Sequence, residues 1–79
     1  MTTIKAAVEE ALGKGFEVTV EQSHDELNNV DLITVYAIFT QTGHKAGMAF
    51  ESHTITQEHI TQVIRSIKRG FERYNIITE

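Results

Sequence analysis

The hydrophobic positions of this chain switch from helical spacing to alternation and back, which divides it into five elements. Ile4, Ala7, Val8, Ala11 and Leu12 recur at i, i+3, i+4, i+7 and i+8, the spacing of a helix with one apolar face. Thr2 or Thr3 supplies a cap, and Gly13 or Gly15 supplies a left-handed end, so the first helix is predicted at about residues 3–13. Phe16 to Glu21 then alternates apolar and polar, as a strand with one buried face does. Ser23–Asn29 is polar and rich in turn formers, and is predicted as a loop. Leu32–Thr40 is strongly β-prone, with Ile33, Val35, Ala37 and Phe39 on one face. Thr42-Gly43-His44-Lys45 offers a hairpin turn, and Ala46, Met48 and Phe50 set the phase of a third strand ending near His53.

The last element is the clearest. Ile60, Val63, Ile64, Ile67, Phe71 and Tyr74 form one apolar stripe, preceded by Thr56 as cap and Glu58 in the first turn. Gly70 inside it costs about 1 kcal/mol against Ala on helix propensity. The order is therefore α-β-β-β-α. Short connections between three strands imply an antiparallel meander with two helices on one face, an α+β fold in one domain over residues 1–79. The opposite face of the middle strand then carries Leu32, Thr34, Tyr36 and Ile38, flanked by Thr19 and Ala49. That is more apolar than solvent requires, and is read either as a partner or dimer surface or as plain β-propensity.

Composition narrows the function classes. There is no cysteine, which excludes disulfides and thiolate metal sites and suits a reducing compartment. There is no proline, and no apolar run long enough to cross a membrane. Met1-Thr2-Thr3-Ile4-Lys5 lacks the basic start and apolar block of a signal peptide, so a cytoplasmic location is the expectation. The net charge of −4 repels nucleic acid as a whole.

The charges are also segregated. Between Lys14 and Lys45 stand five carboxylates and no Lys or Arg: Glu17, Glu21, Asp25, Glu26 and Asp31. They form either an acidic patch for a basic partner or a solvated surface. Four of the seven cations, Arg65, Lys68, Arg69 and Arg73, fall within the last helix. This stripe either contacts phosphates or complements the helix dipole. His24, His53 and His59 are brought toward one end of the meander with Asp25 or Asp31, but no H-x-x-x-H pair is present. Neither a nucleophile elbow nor a glycine-rich oxyanion loop accompanies them or His44. The expectation is no enzyme, no metal and no cofactor.

Two resemblances follow from the order of elements. The α-β-β-β-α order is similar to that of the double-stranded-RNA-binding domain, which implies phosphate reading by a Lys-rich start to the last helix. The matching segment here, Thr54-Ile55-Thr56-Gln57-Glu58-His59, has no cation. The chain also resembles small acidic phage and prophage proteins that include a compact anti-CRISPR inhibitor. The likeness rests on Ile64-Arg65-Ser66-Ile67-Lys68-Arg69-Gly70-Phe71 and on Lys14, Phe16 and Val18. That resemblance implies carboxylates that occupy a nuclease's PAM-reading cleft. The corresponding Thr42-Gly43-His44-Lys45 has none, and Gly15 stands where an acid would precede the first strand. The residues thus favour a small protein-interaction module, a phage accessory or inhibitor protein that binds a protein partner or itself. The alternative is a nucleic-acid-binding module using Arg65, Lys68, Arg69 and Arg73.

Overall fold

A computed structural model describes residues 3–77 of the chain. Its elements are α1 (Ile4–Leu12), β1 (Phe16–Asp25), β2 (Val30–Phe39), β3 (Lys45–Glu51) and α2 (Gln57–Arg73). The sheet order is β1-β2-β3, antiparallel throughout, and both helices cover the same face. The fold is α+β. The shortest dimension, 17 Å, is that of one sheet under one layer of helices.

The core follows from the alternation. Val18, Ile33, Val35 and Ala37 point up from the sheet, Ile4 and Val8 come down from α1, and Val63, Ile67 and Phe71 come from α2. Phe71 is fully buried, its ring 4.9 Å from Phe16, which in turn lies 5.1 Å from Phe39. Tilted aromatic contacts of this kind add to simple burial. No polar or charged residue is buried among those described, so no buried side-chain hydrogen bond specifies the packing of the core. Shape alone orders it.

Local chemistry sets the ends of the elements. Thr3 caps α1, its hydroxyl accepting from the Ala6 N–H at 3.1 Å, while the Thr2 alternative lies outside the described residues. Gly13, at φ 82°, ends α1 with its N–H donating to Glu9 O. Gly15 O then accepts from both the Thr40 N–H and its hydroxyl, which ties the start of β1 to the end of β2. Thr56 caps α2 in a reciprocal box: its hydroxyl accepts from the His59 N–H, and His59 Nδ1 accepts from the Thr56 N–H, each at 3.2 Å.

Several boundaries differ from the sequence expectation, among them the start of β2, which lies at Val30 rather than Leu32. β1 continues to Asp25, because Ser23, His24 and Asp25 pair with Leu32, Asp31 and Val30. The expected loop over Ser23–Asn29 shrinks to residues 26–29; a polar composition does not prevent a strand from forming beside an apolar neighbour. β3 ends at Glu51, two residues earlier than expected. Tyr74 does not extend the apolar stripe of α2: it is the C-cap, 52% exposed, with its ring 4.4 Å from His44. There the chain turns through Asn75 at φ 58°, with Asn75 N–H donating to Glu72 O and Ile76 N–H to Phe71 O. This is a Schellman ending with Asn in the left-handed place, and it returns Ile76 to the core.

Candidate functional site

Side-chain parity along the sheet decides what the uncovered face presents. Opposite the helices, β1 shows Glu17, Thr19, Glu21 and Ser23, β2 shows Leu32, Thr34, Tyr36 and Ile38, and β3 shows Lys45, Gly47, Ala49 and Glu51. The four β2 residues form the central stripe and are each half-buried by their neighbours. Tyr36 stands at its middle, paired with Thr19 on one side and Gly47 on the other. Its hydroxyl donates to Glu21 Oε1 at 3.4 Å, and Lys45 Nζ lies 4.2 Å from the ring centroid. The ring is therefore held between a carboxylate and a cation–π contact.

Gly47 shapes this surface. A Cβ at that position would fall 2.4 Å from Val35 O and 2.5 Å from Tyr36 Cβ, inside the backbone of the neighbouring strand. Only glycine lets β3 approach β2 so closely there. With Ala49 next along the face, the small residues leave a shallow depression of about 530 Å³ lined by Glu21, Thr34, Tyr36 and Lys45. Sequence reading named Tyr36 and its neighbours but not this hollow. The glycine was its signal, since glycine inside a strand marks a close backbone approach.

The five carboxylates are spread over the outer face, the β1–β2 turn and the helix side of the sheet. Glu17 and Glu21 lie exposed on the outer face with Glu51. Glu26 is exposed in the β1–β2 turn, beside Leu27, which is 96% exposed. Asp25 organises that turn, accepting from the Leu27 and Asn28 N–H groups and from Asn28 Nδ2. The Asn28 side-chain bond, then the backbone bonds, hold its carboxyl below the ordinary value of 3.8. Asp31 points to the helix side of the sheet, where its Oδ1 lies 2.7 Å from His24 Nδ1.

The histidines separate likewise. His24 and His53 line one recess of about 330 Å³ with Asp31 and Ser52. His59 instead caps α2 and stacks on Phe50, ring centroids 4.3 Å apart. Among the described residues no three His, Asp or Glu side chains are placed to hold a metal ion.

The cations of α2 lie on the other layer. Arg65, Arg69 and Arg73 follow at four-residue intervals and are exposed, and Lys68 is half-buried. Arg65, Lys68 and Arg69 border a shallow solvent-facing hollow with Thr61, Ile64 and Glu72. Arg69 and Arg73 also line a groove against β3 with Lys45 and Tyr74. The one close acid–base contact among the described residues is that of His24 with Asp31, so none of these cations makes a salt bridge there. No helix among the described residues is long and apolar enough to cross a membrane. No protein-family model, curated protein or solved structure matches the chain.

Proposed function

We propose that this protein is a small non-enzymatic interaction module, of the phage accessory or inhibitor kind that its element order resembles, and that the outer sheet face docks a basic protein partner. The observation that carries the reading is Tyr36, a rigid aromatic at the centre of an apolar stripe, beside a hollow left by Gly47 and Ala49. Glu17, Glu21 and Glu51 rim it. An apolar centre with a charged border is the usual anatomy of a protein interface. Covering the stripe removes on the order of 100–200 Å² of apolar surface, worth about 2.5–5 kcal/mol before the costs of association.

The rim selects the partner. Against these three carboxylates the face offers one cation, Lys45, already engaged with Tyr36. A second copy laid face to face brings like charges together, whereas a Lys- or Arg-rich partner meets them with opposite sign. A basic side chain entering the hollow meets the Glu21 carboxylate, and reaches the Tyr36 ring only by displacing Lys45 from it. Titration of the labelled protein with an alternating Lys-Leu peptide tests this by NMR. Shifts are expected at Thr34, Tyr36, Gly47 and Ala49, and Tyr36→Ala and Glu21→Lys should each weaken binding about tenfold with an unchanged circular dichroism spectrum. Shifts confined to α2, or affinity indifferent to both substitutions, overturn the reading. Concentration-dependent shifts of the same residues without peptide would assign the face to self-association.

A further inference from the structure

The groove between the free edge of β3 and α2 is a second surface, which meets the outer face at Lys45 and Gly47. Among the described residues β3 pairs only with β2, so the backbone groups on its other side have no strand partner. α2 runs antiparallel above it: Gly70 meets Ala46, Arg65 and Ser66 share a recess with Met48, and His59 stacks on Phe50. About 16 Å of helix thus tracks about 13 Å of strand. Two adjoining hollows of about 430 and 280 Å³ follow this line, and Arg69 borders both. Lys45 and Arg73 complete the first and Arg65 the second, and none of them makes a salt bridge to a carboxylate among the described residues.

We propose that this groove docks an acidic, extended segment of a partner protein, which adds to β3 as a fourth strand. Edge strands are commonly guarded by lysine against indiscriminate pairing. Here the guard is a row of cations on the neighbouring helix, which turns an open edge into one selective for a carboxylate-bearing strand. The spacing fits: Arg65, Arg69 and Arg73 are separated by about 6 Å along the helix axis. Side chains on one face of an extended strand repeat at about 6.6–6.8 Å. A nucleic-acid strand can also present charges to the arginines, but it makes no main-chain pairing with the amides of the edge, and that is what separates the two occupants. Main-chain bonds to β3 supply affinity, and alternate acids under the arginines supply selectivity.

The test uses a capped peptide of about eight residues alternating Glu with Val. Three controls accompany it: the same peptide N-methylated at alternate amides, pentathymidylate of equal charge, and a dilution series of the protein alone. Binding should shift the β3 amides from Lys45 to Glu51 and fall about tenfold in Arg69→Glu/Arg73→Glu. It should fall as far again for the N-methylated peptide, which keeps every charge but loses backbone donors. If the double variant does not fold, Arg65→Glu carries the same comparison. Equal affinity for the N-methylated peptide reduces the groove to a charged surface and overturns the proposal. So does pentathymidylate binding more tightly at the same site, or concentration-dependent β3 shifts without peptide, which assign the edge to a second copy.

Discussion

Replacing Gly70 with Ala should destabilise the protein, although helix propensity alone says the reverse. In an exposed helix interior, alanine is favoured over glycine by about 1 kcal/mol. Gly70 is not on an open surface: a Cβ there would lie 2.7 Å from the Cβ of Ala46 on β3. Carbon atoms reach optimal separation at about 3.5–4.0 Å, so helix and strand would have to part by about 1 Å. The obstacle is a side-chain stub next to backbone, and it cannot rotate away. Parting them also disturbs Phe71, the next residue, which is fully buried against Phe16. Overpacking of this kind costs about 1–3 kcal/mol, which exceeds the propensity gain and leaves a net loss of up to about 2 kcal/mol. For a domain of this size each 1 kcal/mol moves Tm by about 4–8 °C.

The sign makes the reasoning testable by a double-mutant cycle. Ala46→Gly removes the opposing Cβ, so in that background Gly70→Ala should recover its propensity gain and raise Tm by about 4–8 °C. Thermal melts followed by circular dichroism on the four proteins give the coupling. A Gly70→Ala protein that melts higher than wild type would refute the close approach of α2 to β3. Equal effects in both backgrounds would show that Ala46 is not the obstacle.

Thr56→Ala removes the hydroxyl that accepts from the His59 N–H and should lower stability by about 0.5–2 kcal/mol, while His59→Gln, able to close the same box, should cost less than His59→Ala; melts of the three variants check the order. Asp25, held below its ordinary value by Asn28, stabilises the folded chain above pH 3.8, and that contribution is lost as pH falls through the lowered value. Melts of wild type and Asp25→Ala should therefore converge on acidification below 3.8, and a gap that persists there would rule out the turn bonds as its source.

The fold was legible because each element announces itself by period. Two helical stripes and three alternating runs leave few ways to bury one face, and the meander with helices on one side is the simplest. What was not legible depends on partners distant in sequence. Ser23 to Asp25 look like loop until Val30 to Leu32 are laid beside them, because an apolar strand recruits a polar neighbour through the backbone. Tyr74 keeps the stripe's spacing, yet the Asn75 turn that returns Ile76 to the core leaves Tyr74 outside against His44. His59 reads as a ligand candidate, and its cap geometry is visible only once Thr56 and Phe50 are placed around it.

The surface divides along the same line. Tyr36, Leu32, Thr34 and Ile38 were legible as an outward stripe, because strand parity alone sends them away from Ile33, Val35 and Ala37. Proximity in sequence does not assign the acids to a face, since a strand alternates its faces. Asp31 sits one residue before Leu32, yet it projects toward the helices and meets His24. The glycines carried the information that composition hides. Gly70 reads as a weak point in a helix, but both it and Gly47 are places where backbone must come close, Gly47 hollowing the outer face and Gly70 seating α2 on β3. That seating brings Arg69 and Arg73 to the sheet edge beside Lys45, so a residue with no side chain sets where the cations stand. Pushing α2 off β3 would therefore widen the groove as well as loosen the core.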